Sequence, residues 1–377
     1  MEKRKIKNLN INVSLLGFGC MRFPMKEGKV DILEVKRMLD FAYLNGVNYF
    51  DTAYPYHEGE SETIVGNIIK HYDRETFYLA DKLPLWECEN KDDIDRIFYE
   101  QLEKCGVDYF DFYLIHAVNE ERIIQVKELN VLKKLEQYKK EGKIKYIGFS
   151  FHDNLDVFKK WVDLYQWDFV QIQLNYMDVN HQQGIEGYHI LTEKGIPVIV
   201  MEPVKGGGLV KFNRTIEKIF TDYNNNTSIA SWAFRWVGSL PNVKIVLSGM
   251  STMEQLKDNL KTFSDFHPLN REEQSVINRV RREILDLSKV DCTSCNYCMP
   301  CPHGVDIPGN FRLYNAFSMY QNIKHIKGEY NNLINNGSSA DVCVDCGECL
   351  PKCPQQIQIP SNLIKMQKYF KENSIIE

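Results

Sequence analysis

Four residues of different chemistry stand at or just beyond the ends of three successive apolar runs: Asp51, Tyr56, Lys82 and His116. The first run, with Val47, Tyr49 and Phe50, stops at Asp51, and Tyr56 follows in a loop of Pro, His, Glu and Gly. TFYLADK (76–82) ends in Lys82, and FDFYLIH (110–116) ends in His116. A carboxylate at the end of a buried strand needs a partner, and Lys82 is the cation the chain supplies. An ammonium beside a phenol favours phenolate, so Lys82 is expected to pull Tyr56 below the tyrosine reference of about 10 and make it a proton donor. His116, as a neutral imidazole, would orient a carbonyl oxygen. Two donors aimed at one oxygen stabilise negative charge that develops there.

Taken singly, these residues read as a satisfied ion pair, a surface tyrosine and a core histidine. Their placement at successive strand ends favours a site. A metal-dependent hydrolase built on Asp51 and His116 is the rival chemistry, and it lacks a convergent set of carboxylates and histidines at strand ends.

The elements that must hold these groups are short. Eight apolar, β-rich runs follow one another at 15–19, 47–51, 76–82, 110–116, 144–150, 169–175, 196–203 and 243–249. Near-continuous apolar runs suit strands covered on both faces. Between them, helical periodicity predicts helices near 31–45, 59–71, 93–105, 128–141, 153–166, 180–194, 227–238 and 252–264. Gly46, Gly106, Gly142, Gly195 and Gly238 are placed as left-handed caps at the ends of helices. The expected fold is α/β: a (β/α)8 barrel with its site at the strand C-termini, followed by a small, mainly helical domain. An open, doubly wound sheet is the rival, and no Gly-rich dinucleotide fingerprint follows the first strand. Residues 5–13 suggest a hairpin. Residues 204–226 read as one long loop of the kind that forms lids. No internal repeat is evident beyond the strand–helix alternation.

Of 11 cysteines, Cys20, Cys88 and Cys105 are scattered and eight lie between Cys292 and Cys353. Without a secretion signal, such a cluster reads as metal ligands and not disulfides. The first motif is Cys292-x2-Cys295-x2-Cys298-x2-Cys301-Pro302; the second is Cys343-x2-Cys346-x2-Cys349-x3-Cys353-Pro354. The second has the two-cluster ferredoxin spacing, in which the fourth Cys ligates the other cluster. That predicts one 4Fe–4S cluster on Cys292, Cys295, Cys298 and Cys353, and another on Cys343, Cys346, Cys349 and Cys301. Two four-cysteine zinc sites are the alternative. The domains are expected at 1–287 and 288–377.

Composition excludes other classes. The charge of −5 and the absence of a basic tract with interleaved aromatics argue against nucleic acid. No apolar run approaches the roughly 18 residues of a membrane span, and no apolar signal core follows the charged start. The expected location is cytoplasmic.

On Asp51, Tyr56, Lys82 and His116, and on the segment YFDTAYPYHEGESETIVG (49–66), the chain resembles the aldo/keto reductase superfamily over roughly residues 5–265. The C-terminal part resembles helical two-cluster ferredoxins, and the fusion resembles an iron–sulfur branch of that superfamily. The resemblance implies an oxidoreductase in which NAD or NADP reduces a small carbonyl compound or oxidises the alcohol. It implies that Ser150 and Gln171 hold the carboxamide, that Gly19, Cys20 and Met21 border the nicotinamide, and that Asn259 contacts adenine. Three positions depart from the pattern. Phe151 replaces Asn after Ser150, Met201 stands where an aromatic stacks on the nicotinamide, and Gly249 and Gln255 stand where basic residues clamp a 2′-phosphate. Phe23, Trp86 and residues 204–226 are expected to rim the pocket. The clusters would exchange electrons, with a redox partner protein among the candidates, or serve as structure. A nicotinamide-sensing or electron-carrier module with little turnover is the alternative function.

Overall fold

The computed structural model describes residues 1–376. Eight parallel strands close into a barrel: Leu16–Gly19, Tyr49–Asp51, Tyr78–Leu83, Phe110–Val118, Ile144–Phe151, Phe169–Gln173, Val198–Met201 and Val243–Gly249. Each falls within or overlaps one of the apolar runs. The antiparallel hairpin Lys3–Ile6 and Ile11–Ser14 precedes them. Closure removes sheet edges, and the helices cover the outer strand faces with aliphatic and aromatic side chains such as Met38, Phe98 and Trp161. A smaller cluster, including Tyr49, Phe112, Phe169 and Ile245, fills the lumen.

Helix starts follow capping chemistry. Asn90 and Asp93 form a reciprocal capping box for Lys91–Cys105, and Asn154 and Thr252 cap Leu155–Leu164 and Met253–Ser264. Gly46, Gly106, Gly142 and Gly195 take left-handed φ, as expected of helix ends. Gly238 does not. It is the last residue of helix Ile229–Gly238, and a Cβ there would lie 2.6 Å from the Phe266 ring. Its smallness serves packing, not a turn.

Three features depart from the sequence reading. Helix Glu120–Glu128, capped by Asn119, precedes Val131–Lys140; the sequence reading had one helix there. Residues 204–226 are not one loop: they contain helix Arg214–Tyr223, capped by Asn213, with Ile216, Ile219 and Phe220 buried. Third, the packing divides the chain elsewhere than at 287/288, into Met1–Gly206 with Ala230–Gln274, and Gly207–Ile229 with Ser275–Glu377.

In the second unit, helices Ile307–Tyr320, Ile323–Asn335 and Ile359–Glu372 share a core of Phe311, Phe317, Tyr330, Leu363, Met366 and Phe370. Two of these helices expose a repeat that the sequence reading missed. Cys301-Pro302 and Cys353-Pro354 are each followed, six positions after the Cys, by the Ile-Pro that opens a helix. The repeat is short, and extends to Val305 and Ile357, Asn310 and Asn362, and Phe311 and Leu363.

Candidate active site and cluster sites

Register sets the barrel site. Gly249 pairs with Gly19, Gly19 with Asp51, and Asp51 with Ala80, so these residues lie side by side at one end of the barrel. Lys82 lies two residues further along its strand and pairs with Leu114, two residues before His116. The C-terminal strand ends therefore bring Asp51, Lys82 and His116 to one rim.

Lys82 Nζ lies 2.6 Å from Asp51 Oδ1 and 2.5 Å from the Thr52 carbonyl oxygen, with Lys82 wholly buried. Burial alone would strip its proton; Asp51 outweighs burial and holds the ammonium above its ordinary value. Lys82 Nζ sits 4.9 Å from the Tyr56 ring centroid. The Tyr56 and His116 rings meet edge to face at 5.9 Å, and Trp86 covers His116 at 5.1 Å. Tyr56 departs from expectation. Burial pushes its phenol up, and Lys82 opposes this without reversing it. The phenol is therefore protonated throughout the neutral range. Burial and the Lys82 charge push His116 well below its ordinary value, which makes it the neutral imidazole expected.

Among the described residues, three buried polar atoms near this rim have no hydrogen-bond partner: Asp51 Oδ2, His116 Nδ1 and Gln171 Oε1. Gln171 pairs in register with Ser150, and its Nε2 lies 3.5 Å from Met201 Sδ. Ser150 Oγ accepts from the Ala117 N–H at 2.8 Å, which ties it to the residue after His116. Such orphaned atoms, beside two glycines, fit a polar ligand such as a carboxamide lying along the rim. Phe151 does not join them; it packs edge to face on Phe158 in the strand–helix layer. Cys20 is fully buried and Met21 is exposed.

The C-terminal contacts are more structural than the resemblance implied. Asn259 is buried and donates to Ser248 Oγ at 2.9 Å. Gln255 Oε1 accepts from the Ser251 N–H at 2.8 Å and thereby caps its own helix. Positions 249 and 255 carry no cation, but a cationic side chain lies beside one of them. The Arg22 side chain lies over Gly249, 3.1 Å from where a Cβ would be, and its Nη2 reaches 3.5 Å from the corresponding point at Gly206. Arg22 follows Gly19, Cys20 and Met21 in sequence, and its proximity to residue 249 had no local sequence signal.

Two further groups were not anticipated. His57 Nε2 accepts from the Phe23 N–H at 3.1 Å and its ring stacks on Phe23 at 5.0 Å, so Phe23 is buried beneath His57 and is not a rim residue. Asp178 accepts from Lys205 at 2.7 Å through both oxygens, and from Gln173 and Asn175. This anchors the turn Glu202–Gly206, where Glu202 and Lys205 have left-handed φ.

In the second unit the eight cysteines separate into two sets. Cys292, Cys295, Cys298 and Cys353 line one cavity of about 320 Å³. Cys301, Cys343, Cys346 and Cys349 line another of about 390 Å³, with Cys298 on its wall. Ile307 and Ile359, the first residues of the repeated helices, line both. All eight thiols are free. Each set joins three cysteines of one motif to the fourth of the other, a donor set that suits a 4Fe–4S cluster in each cavity.

Comparison with known proteins identifies both parts of the chain. Residues 15–282 match the Aldo/keto reductase family and residues 291–357 match the 4Fe-4S dicluster domain. This chain belongs to the aldo/keto reductase family. Among its relatives, the uncharacterized oxidoreductase YqkF of Bacillus subtilis (strain 168) is 26% identical over 292 residues, covering 69% of this chain and 90% of that protein. The NADH-specific methylglyoxal reductase of Escherichia coli (strain K12) is 24% identical over 307 residues, covering 69% of this chain and 93% of that one. Among solved structures, the holo form of aldo-keto reductase AKR11C1 from Bacillus halodurans is 25% identical with a TM-score of 0.63, covering 74% of this reductase and 96% of that chain. The family's (β/α)8 barrel is thus joined here to a C-terminal 4Fe–4S dicluster domain. Among the described residues, no helix is long and apolar enough to cross a membrane.

Proposed function

We propose that this reductase interconverts a small carbonyl compound and its alcohol with NAD or NADP, using Tyr56 as general acid, and that its two 4Fe–4S clusters pass electrons to a separate redox partner. The observation that carries the reading is the convergence of the Lys82–Asp51 ion pair, Tyr56 and His116 on one rim. The nicotinamide, when bound, supplies or accepts hydride. Asp51 keeps Lys82 charged and fixed. Lys82 stabilises the phenolate left when Tyr56 gives up its proton, so the ion pair matters most once transfer has begun. His116, neutral, donates a hydrogen bond to the substrate oxygen and turns the carbonyl toward Tyr56. Ser150 and Gln171 would hold the carboxamide, with Gly19, Cys20, Met21 and Met201 beside the nicotinamide. Arg22 supplies charge for the cofactor's phosphates, assisted by Gly249, Gln255 and Asn259 at the adenosine end. A named relative that acts on methylglyoxal with NADH supports a small carbonyl substrate.

In the second unit, Cys292, Cys295, Cys298 and Cys353 would hold one cluster, and Cys343, Cys346, Cys349 and Cys301 the other. Clusters pass electrons singly, whereas nicotinamides deliver two as hydride. Exchange with a partner protein therefore follows more readily than coupling within the chain.

A second reading, a nicotinamide sensor with little turnover, is favoured by one observation: the Tyr56 phenol is held above its ordinary value, which weakens it as an acid. Anaerobically purified protein assayed on a panel of aldehydes and ketones with NADH and NADPH separates the two. Carbonyl reduction that Tyr56→Phe abolishes supports the enzyme. Equal, slow reduction by both proteins supports the sensor.

A further inference from the structure

The Lys82–Asp51 pair is backed by buried polar groups that the chemistry above does not use. Asp81 precedes Lys82 on the third barrel strand, and strand alternation turns it away from the lumen. It enters the seam between helices Ser61–Ile69 and Lys91–Cys105. Those helices meet backbone to backbone: a Cβ on Gly66 would lie 2.4 Å from the Cys105 carbonyl oxygen. The close approach brings Glu62, one turn before Gly66, to Gln101, one turn before Cys105.

Asp81, Glu62 and Gln101 are wholly buried. Gln101 Nε2 lies 3.0 Å from Asp81 Oδ1, 2.9 Å from Glu62 Oε1 and 3.0 Å from the Lys82 carbonyl oxygen. Gln101 Oε1 accepts from the Tyr113 hydroxyl at 2.5 Å. Asp81 Oδ1 accepts from the Lys82 N–H at 2.8 Å. Both backbone polar groups of Lys82 are therefore held by this cluster.

The two carboxyls thus meet at one amide nitrogen, Gln101 Nε2. The charges around them do not balance two anions. Lys82 is committed to Asp51. Lys104 lies 3.4 Å from Glu62 Oε2, is partly exposed, and is shared with Glu100 at 2.7 Å. The remaining titratable neighbours add no positive charge: Cys105 Sγ at 3.7 Å from Asp81 Oδ2, Tyr113 on the next strand, and Cys20 beside Asp51. Two carboxylates buried this close to one donor and short of cations repel strongly, and a proton on one relieves that repulsion.

We propose that Asp81 and Glu62 hold one proton between them at neutral pH and that this pair, through Gln101, positions Lys82 for its action on Tyr56. The proposal rests on the role assigned above to Lys82. Sharing a proton leaves the seam with one negative charge, which Lys104 faces. Loss of that proton adds a charge behind Lys82 and sets two anions against each other across the Gln101 amide that braces its strand. The consequence is an alkaline loss of turnover that belongs to the pair and not to Tyr56.

The test combines infrared spectroscopy with kinetics on the full-length, cluster-loaded protein. Wild type at neutral pH is expected to show the C=O stretch of a buried protonated carboxyl, sensitive to deuterium. Asp81→Asn, which mimics the protonated acid, loses that band and, relative to its own rate at neutral pH, holds its activity to higher pH than wild type. Asp81→Val lowers kcat about 10²-fold by misplacing Lys82, with the KM for the nicotinamide unchanged. If Asp81→Val does not fold, Gln101→Met removes only the bridge and is expected to lower kcat in the same way. Absence of the band in wild type, or full kcat in the folded Asp81→Val or Gln101→Met protein, overturns the proposal. Wild type no more active than Tyr56→Phe would instead sink the catalytic reading, while the infrared arm still decides whether the pair holds a proton.

Discussion

Lys82 Nζ sits 2.6 Å from Asp51 Oδ1, and side-chain exposure is 0% for the lysine and 4% for the aspartate. The geometry makes each charge depend on the other. Lys82→Met leaves Asp51 as an uncompensated buried carboxylate, and unfolding free energy is expected to fall by about 3–5 kcal/mol at neutral pH. The double variant Asp51→Asn with Lys82→Met should recover much of that loss in denaturant melts, while remaining inactive. Lys82 is held above its ordinary 10.5. Its contribution to stability is therefore complete below that value and lost only as pH rises through the higher folded pKa.

His57 gives the opposite pH dependence. It accepts a hydrogen bond from the Phe23 N–H, which requires a neutral Nε2, and burial lowers its pKa from 6.5. As pH falls below 6.5, the unfolded chain takes up the proton first, so stability declines until pH passes the lower folded value. Thermal melts across this window should show a decline that His57→Gln reduces. Identical profiles for the two proteins would remove His57 from the account.

Arg22 spans the points where Gly249 and Gly206 leave room. Arg22→Ala is expected to weaken nicotinamide binding about tenfold, equivalent to 1.4 kcal/mol, with little change in melting temperature because the side chain is exposed. Fluorescence titration with NADH and NADPH measures this. An equal loss for both places Arg22 at the pyrophosphate, and a loss confined to NADPH places it at the 2′-phosphate.

The proposed cluster ligation crosses between the two motifs at its fourth ligands. Cys353 lines the cavity of the first motif and Cys301 that of the second. Cys353→Ser and Cys301→Ser should each leave one cluster, about four irons out of about eight. Their electron paramagnetic resonance signals should differ, because a different cluster survives in each. Identical residual signals would mean that the ligation is not crossed as drawn.

Gly66 has no room for a side chain against the Cys105 carbonyl. Gly66→Ala should cost about 1–3 kcal/mol through overpacking. Because it also separates Glu62 from Gln101, kcat should fall with stability. A stable Gly66→Ala protein with unchanged kcat would show that the two helices yield without disturbing Lys82.

What the sequence determined by itself was local or periodic. Uninterrupted apolar runs marked the eight strands because both strand faces are covered. Asp51, Lys82 and His116 were visible because a charged residue that ends such a run interrupts the pattern. The cysteine spacing carried the two-cluster domain, because short loops between ligands let one motif gather several around a single cluster. Helix Arg214–Tyr223 was missed although Ile216, Ile219 and Phe220 gave its period, because flanking Gly and Asn runs suggested a loop.

Only the tertiary structure decided what depends on distant segments meeting. Whether Lys82 or burial governs Tyr56 is a balance of charge against desolvation, and no spacing along the chain states it. Arg22 reaches Gly249 across more than 200 positions of sequence, and the Asp81–Glu62–Gln101 seam exists because Gly66 lets two helices touch. Residue type fixes what a side chain can do; the low dielectric and the neighbours that folding supplies fix which proton it keeps.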